Sequence, residues 1–532
     1  MRPFAVIALS LAIPTVTAAQ AKTGCDLGPN FYRLNSAPLN LHLAEEKPDQ
    51  RDRMLAEVKN VAERTIVENH QDQNPVAWYY LARYYQETHN PWGADSAFAR
   101  TEKLAPLCAD TLVQFRKAIW NDAFSAGMTA WQGGKTDSAV IWLQLSRRLL
   151  PKDPRADFQL GQLYAGAGNT DSALAYLGLG TQVAGTDSAF ADARHDALTT
   201  SARLALARAQ ADPVIARALG VRQSLDSLGR YLANDSILFA HRLAQSASRH
   251  SRGARLSPAD QQAFAADSTQ LAQSLNNERT LRASLTTKGA ADTAALKAAY
   301  APAVSAYQAL LAAYPASLDA AVNLAAIFAQ SGHPEMAGSA FDAVVAHPEK
   351  VDPSAALEAA QRMGSGGLGT AAIKVYGMLL KANPYNRNAL AGEADARLRM
   401  RDPAALAAAL KVMALDPSNQ LATRALGQAY SLAGQADSAK KYIARADTGM
   451  AMDITITQFQ PDSAGAALSG VAANLKGTAS GPTRITFEFL DAHGAVLGSQ
   501  TTQVAPIPPS GTTQFEVKAT GKGIVGWRYK MP

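Results

Sequence analysis

A fixed repeat constrains this chain more than any single motif. Gly127, Gly134, Asp137, Ser138, Ala139 and Leu143 recur in the same order as Gly161, Gly168, Asp171, Ser172, Ala173 and Leu177, a spacing of 34 residues. A period of roughly 20–50 residues marks a unit too small to bury its own apolar face, so each unit must stack on the next. The residue types describe the unit. Gly127 and Gly161 are small where two helices are expected to touch, Gly134 and Gly168 end a first helix, and Asp-Ser caps a second helix just before Ala. The prediction is a run of helical hairpins. An 18% share of charged residues and a 47% hydrophobic share, rich in Ala and Leu, suit closely packed helices. At 532 residues the chain exceeds what one core of roughly 250–300 residues can hold, so several units are expected.

Further segments carry the same positions. Trp78, Leu81, Ala82 and Tyr85 read as a first helix, with Ala97 resuming the second after an insertion at Asn90-Pro91-Trp92-Gly93. Leu160, Gly161, Tyr164 and Ala173 form another unit, and Leu324, Ala325, Phe328, Gly332, Ala337 and Phe341 a third. Ala372, Tyr376, Leu379 and Pro384 supply a second half, and Leu426, Gly427, Tyr430, Gly434, Asp437, Ser438 and Ala439 close the series. Near Asn386 to Asn419, Gly392 and Glu393 stand where Leu and Gly are expected. As a periodic set over about half of the chain, these residues resemble the tetratricopeptide repeat (TPR) family. That resemblance implies a mainly α fold, a TPR-like α-solenoid in two arrays, whose first helices line a groove for a protein segment.

Residues 188–298 separate the arrays and lose the period. Val221, Leu225, Leu228, Leu232 and Phe239 keep helical spacing, and Ser257-Pro258-Ala259-Asp260 opens another helix through Leu271 and Leu275, so a helical connector with a thin apolar stripe is expected. From Met452 the period changes to two. Ile454 to Thr457, Arg484 to Leu490 and Gln514 to Val517 alternate as strands, Asp491 to Gly494 is a turn, and Pro506 to Gly511 is a breaker cluster. Five to seven short strands predict a small C-terminal antiparallel β-sandwich. Phe487-Glu488-Phe489-Leu490-Asp491, with Gly470 to Asn474, Gly494, Pro508-Pro509 and Phe515 in order, resembles the FxLYD family of extracytoplasmic immunoglobulin-like domains. The departure, Phe489-Leu490 for Leu-Tyr, keeps apolar bulk. The resemblance implies a module for contact or spacing. The expected divisions are a signal peptide at 1–21, an N-terminal TPR-like array at 22–187, the connector at 188–298, a second array at 299–449, and the sandwich at 450–532.

The first 21 residues have an export layout: Arg2, an apolar stretch from Phe4 to Ile13, then Ala19-Gln20-Ala21 as a cleavage site. The stretch is broken by Pro14 and falls short of the roughly 20 residues needed to cross a bilayer, and no transmembrane span is expected in the mature chain. The expected location is the periplasm, the cell envelope or the medium. In such a compartment Cys25 and Cys108 either form a disulfide that staples the N-terminal arm to the first helices or remain free thiols. Lys22 stands where a lipidation motif needs an apolar residue, against a lipidated Cys25.

Chemistry is sparse. The 51 cationic and 45 anionic residues are interspersed, and the densest run, Arg242 to Arg255, reads as a solvated helix end, so no nucleic-acid partner is expected. Gly364-Gly366-Gly369 and Gly521-Gly523-Gly526 match a dinucleotide-binding string, but the first falls in a repeat turn and the second in a β hairpin, not between strand and helix. Gly134-Lys135-Thr136 resembles the end of a phosphate loop, yet Thr129 replaces its first Gly. No metal-ligand spacing or nucleophile motif stands out, so neither an enzyme nor a cofactor is expected. Five of the six tryptophans, Trp78, Trp92, Trp120, Trp131 and Trp142, fall in the N-terminal array. Most are expected between stacked hairpins. By TPR register the groove side holds Tyr79 and Arg83, then Phe124, Met128 and Trp131, then Gln159 and Gln162, a surface suited to an apolar peptide. The second array shows Val322, Ala326, Leu357 and Leu390 on that side. The expected function is an exported noncatalytic scaffold with a protein or peptide partner. The alternatives are an envelope hydrolase or glycan-binding protein with the repeats as frame, or a self-associating structural component.

Overall fold

The computed structural model describes residues 24–251 and 257–531. The export segment lies outside the described residues, as do Arg252 and Arg255 of the basic run. The chain divides into two compact units, at Ala197 and Leu198.

The first unit holds helices α1 (Ala37–Glu46), α2 (Arg51–Val67), α3 (Pro75–Glu87), α4 (Pro91–Leu104), α5 (Ala109–Gln132), α6 (Thr136–Leu149), α7 (Arg155–Gly166) and α8 (Thr170–Ala184). Helix α9 (Ala191–Gln210) spans the division. The second unit continues with α10 (Pro213–Ser251), α11 (Pro258–Ala313), α12 (Leu318–Gln330), α13 (Asp342–Ala346), α14 (Pro353–Ser365), α15 (Gly369–Ala382), α16 (Arg387–Arg399), α17 (Ala405–Leu415), α18 (Gln420–Leu432) and α19 (Ala436–Ala444). Six strands follow: β1 (Met452–Pro461), β2 (Gly465–Asn474), β3 (Thr483–Leu490), β4 (Val496–Val504), β5 (Thr512–Thr520) and β6 (Gly526–Lys530).

One ruler runs through the hairpins. A small residue in the first helix, Ala82, Gly127, Gly161, Ala325, Ala360, Ala394 or Gly427, is followed seven positions on by a residue with left-handed backbone: His89, Gly134, Gly168, Gly332, Gly367, Arg401 or Gly434. Their φ values lie between 51° and 92°. Such a residue reverses the chain while satisfying the last helical carbonyls, and Gly adopts the conformation without a Cβ penalty. Small residues earlier in the first helix are needed because the second helix rests on them. A Cβ on Gly161 would lie 2.6 Å from the Leu177 side chain, and one on Gly427 2.8 Å from Ile443. These are stacked TPR-like hairpins.

Several expectations about the helices are corrected. Ala94, fully buried, holds the place in α4 that Gly127 matches with Ala139, so Asn90-Pro91 is no insertion. Asn90 instead caps α4 by accepting from Gly93 N at 3.0 Å. In α16 the contact position is Ala394, not Gly392 or Glu393, because Asn386 is the cap and sets the register. The helix containing residue 299 runs from Pro258 to Ala313, so the expected boundary between connector and second array falls inside one helix. Its last turns, with Tyr300, Ala303, Tyr307 and Leu310 buried, belong to the second array's core, while Leu228, Leu232 and Leu275 form a narrow buried contact between α10 and α11. Leu390 is only 3% exposed and is core, not groove.

The six strands form two antiparallel sheets, β1-β2-β5 and β4-β3-β6, packed face to face. Alternation in β3 turns Phe487 and Phe489 into the sandwich, where both are fully buried. Glu488 points outward to Arg528 at 2.5 Å and Lys530 at 2.7 Å. Leu490 is buried in the cluster formed by α16 to α18 rather than in the sandwich. Strands β5 and β6 lie in different sheets, so the Gly521-Gly523-Gly526 connection is a crossover and not the expected hairpin. Gly364-Gly366-Gly369 does lie in a repeat turn, between α14 and α15.

Candidate functional site

In the first unit the register places the candidate residues on α3, α5 and α7, but the environments differ. Tyr79 meets Phe115 of α5 edge-on, with ring centres 5.7 Å apart. Arg83 lies over the same Phe115 ring at 4.4 Å, reaches the Tyr79 hydroxyl at 3.4 Å, and pairs with Glu87 at 3.6 Å. Its side chain is 15% exposed. Both residues are therefore committed to the α3–α5 contact. Phe124, Met128 and Trp131 are half-buried along α5, over a cluster of Ala139, Leu143, Leu160 and Leu163. Phe124 stacks on buried Trp120 at 4.7 Å, and Arg155 covers that indole at 4.2 Å. On α7, Gln159 is half-buried and Gln162 exposed. Next to Gln159, Phe158 is buried against Gly180. Of the tryptophans, Trp120 is buried, Trp78 donates to Asp72 O at 2.8 Å, and Trp92 and Trp142 meet at 5.9 Å.

Charges here are structural. Burial pushes the Asp157 carboxyl up, and Arg147, with Nε 2.7 Å away, opposes it. Asp95 receives Arg148 at 2.5 Å and Arg116 at 3.7 Å, and Arg116 also holds Glu102 at 2.9 Å. Cys25 and Cys108 are joined by a disulfide that closes a span of 83 residues.

A second surface, absent from the sequence reading, lies within the second unit. The sandwich is bound to the last repeats by a buried polar network. Tyr529 donates to Asp416 Oδ1 at 2.7 Å and accepts from Ser418 N at 3.0 Å, while Arg387 donates to Asp416 Oδ2 at 2.9 Å. Burial pushes the Asp416 carboxyl upward, and the Arg387 guanidinium pulls it back. Burial, then the adjacent Asp416 charge, drives the Tyr529 hydroxyl far above its ordinary value. Asn383 adds a hydrogen bond to Val525 O at 2.7 Å, and Asn419 one to Ile454 O at 3.2 Å. Docking leaves a cleft between β1 and the first helices of the repeats. One pocket of about 470 Å³ is bounded by Ala391, Leu398, Leu421, Ala425, Thr455 and Ile456; a second, of about 320 Å³, continues past Leu357, Tyr385 and Thr457 to Phe459. The sequence signal for it was the Ile454 to Thr457 alternation, but nothing there said which helices β1 would face.

No family model matches the sequence, and no curated protein matches it. Among solved structures, two crystal structures of MamA are similar at 24% identity, covering 29% of this chain and 91% and 85% of theirs, each with a TM-score of 0.19. The P58(IPK) TPR domain is similar at 14% identity over 75% of this chain and 99% of its own, with a TM-score of 0.16. Among the described residues no helix is long and apolar enough to cross a membrane, and no three His, Cys, Asp or Glu side chains are grouped to hold a metal ion.

Proposed function

We propose that this chain is an exported, noncatalytic interaction scaffold of the periplasm or cell envelope that binds a protein segment on its N-terminal repeats. The observation that carries the reading is the row of Phe124, Met128 and Trp131 on α5, half-exposed above a dry cluster and continued by Gln159 and Gln162 on α7. A strip of rigid aromatic and adaptable thioether surface beside amide groups suits an apolar peptide that also offers backbone hydrogen bonds. Tyr79 and Arg83 contribute by fixing α3 against α5 rather than by direct contact. In this reading the FxLYD-like sandwich positions the C-terminal repeats and adds no chemistry.

The test is a variant with Phe124, Met128 and Trp131 all changed to Ala, compared with the unaltered chain for partners co-purified from the cells that make it. The variant is expected to keep its helical content and lose those partners. Equal recovery of the same partners by a folded variant removes the assignment.

A further inference from the structure

The cleft in the second unit is made of other residues than the N-terminal strip, and its chemistry is more specific. Strand β1 is an edge strand, paired only with β2 among the described residues. Its free edge faces the helices. Ile454 N donates to Ser418 O at 2.9 Å, and the Ile454 carbonyl accepts from Asn419. Backbone groups that point away from a partner strand recur every second residue, so the N–H and C=O of Ile456 point the same way as those of Ile454. At Ile456 the loop before α18 no longer covers them, and the cleft opens. Thr455 to Phe459 are consecutive and all line it. A β-bulge between Ile456 and Gln458 puts an extra residue on this strand, so residues on both sides of it border the cleft beside the free edge.

The helical wall supplies the rest of the recognition. It is apolar at Ala391, Leu398, Leu421 and Ala425, and Leu421 is 76% exposed. The pocket's charged residues are Arg387, Arg424 and Asp395, and an adjoining hollow that shares Asp395 and Leu398 adds Arg399 and Arg401. Arg387 is held by buried Asp416, Arg399 pairs with Asp395 and Arg424 with Asp447, and among the described residues Arg401 has no acidic partner. The two outer pairs are about half exposed or more, and pairs of that kind exchange partners at little cost. The wall thus favours carboxylates.

We infer that the cleft binds an extended partner polypeptide as an added strand on β1, through the Ile456 backbone, with apolar side chains in the pocket and acidic side chains toward Arg401 and Arg424. Sheet addition supplies affinity through the main chain, and the pocket and arginines select alternate side chains.

The experiment is selection of a displayed library of random dodecapeptides on the full chain, followed by binding of the enriched peptides to three variants. Ile456→Pro removes one N–H at a place where an edge strand tolerates proline. Ala425→Trp fills the pocket, and the Phe124, Met128 and Trp131 triple alanine variant leaves the cleft intact. Enriched peptides are expected to alternate apolar and acidic residues. Each cleft variant should weaken them by about tenfold or more, the scale of one buried hydrogen bond or a blocked apolar anchor, and the triple variant should not. In the unaltered chain the peptide should also slow exchange of the Ile456 amide, a readout that needs no variant to fold. Failure to enrich any peptide, or binding that survives both cleft variants with the Ile456 amide unprotected, overturns the inference. Self-association abolished by Ile456→Pro would overturn it in favour of a second copy on β1. Loss of peptide binding in the triple variant alone would support the N-terminal strip and reject the cleft.

Discussion

Changing Tyr529 to Phe tests whether the sandwich is locked to the repeats or merely follows them. Tyr529 is 2% exposed, and its ring packs with Phe487 and Trp527. The substitution keeps that packing and removes one oxygen. Two groups then lose their partner: buried Asp416 Oδ1, at 2.7 Å, and part-buried Ser418 N, at 3.0 Å. A hydrogen bond to a buried carboxylate contributes about 1.5–3 kcal/mol, and an orphaned amide costs about 1 kcal/mol more. The expected loss is about 2.5–4 kcal/mol, concentrated at the interface between α16–α18 and β1. Denaturant unfolding of the full chain measures the loss, and amide exchange localises it. The amide of Ile454, which donates to Ser418 O, should exchange faster in the variant. Sandwich-core amides such as that of Phe487 should change less. A double-mutant cycle with Asp416→Asn should return most of the loss as coupling. A shift below about 0.5 kcal/mol, or equal acceleration at Ile454 and Phe487, would refute the lock.

Three other outcomes follow from packing and charge. Gly161→Ala should destabilise the first unit by about 1–3 kcal/mol, because the new methyl would sit 2.6 Å from Leu177. Gly134→Ala, in open space but at φ 73°, should cost about 1 kcal/mol from backbone strain alone; thermal melts of the two variants check the order. Replacing Cys25 and Cys108 by Ser should lower stability by about 2–4 kcal/mol, since closing 83 residues restricts the unfolded chain, and non-reducing mass analysis should show the parent lighter than its reduced form by a pair of hydrogen atoms. Glu488 is held below the usual carboxylate range first by its hydrogen bond from Lys530 and then by that from Arg528, and Asp491 is lowered by backbone donors in the β3–β4 turn. Carboxyls lowered on folding add stability above their unfolded pKa and lose it as pH falls through the folded one. The sandwich melting temperature should therefore fall on acidification through that range, and Glu488→Gln should flatten the fall.

The repeat grammar was legible because it resides in single residues: a glycine under a leucine, a left-handed turn, a cap. Where those signals weaken, the reading slipped. Ala94 and Ala394 hold small contact positions without being Gly, and His89 and Arg401 take left-handed turns that their side chains do not announce. The strands of the sandwich were visible from alternation, but the partner of each was not, so the Gly521 crossover read as a hairpin. Register alone placed Phe124, Met128 and Trp131 along one side of α5. The contact of Tyr79 and Arg83 with Phe115 was not legible, because Phe115 lies outside the repeat positions. The C-terminal cleft was out of reach. Its walls come from residues near 357, 391, 425 and 456, and only the docking through Asp416 and Tyr529 joins them.

The most direct measurement places a photoreactive amino acid at Met128 and, separately, at Gln162, and illuminates the chain in the cells that make it. An interaction scaffold gives a reproducible adduct with the same protein from both positions. Adducts with lipid, glycan or other copies of the chain alone would contradict that function.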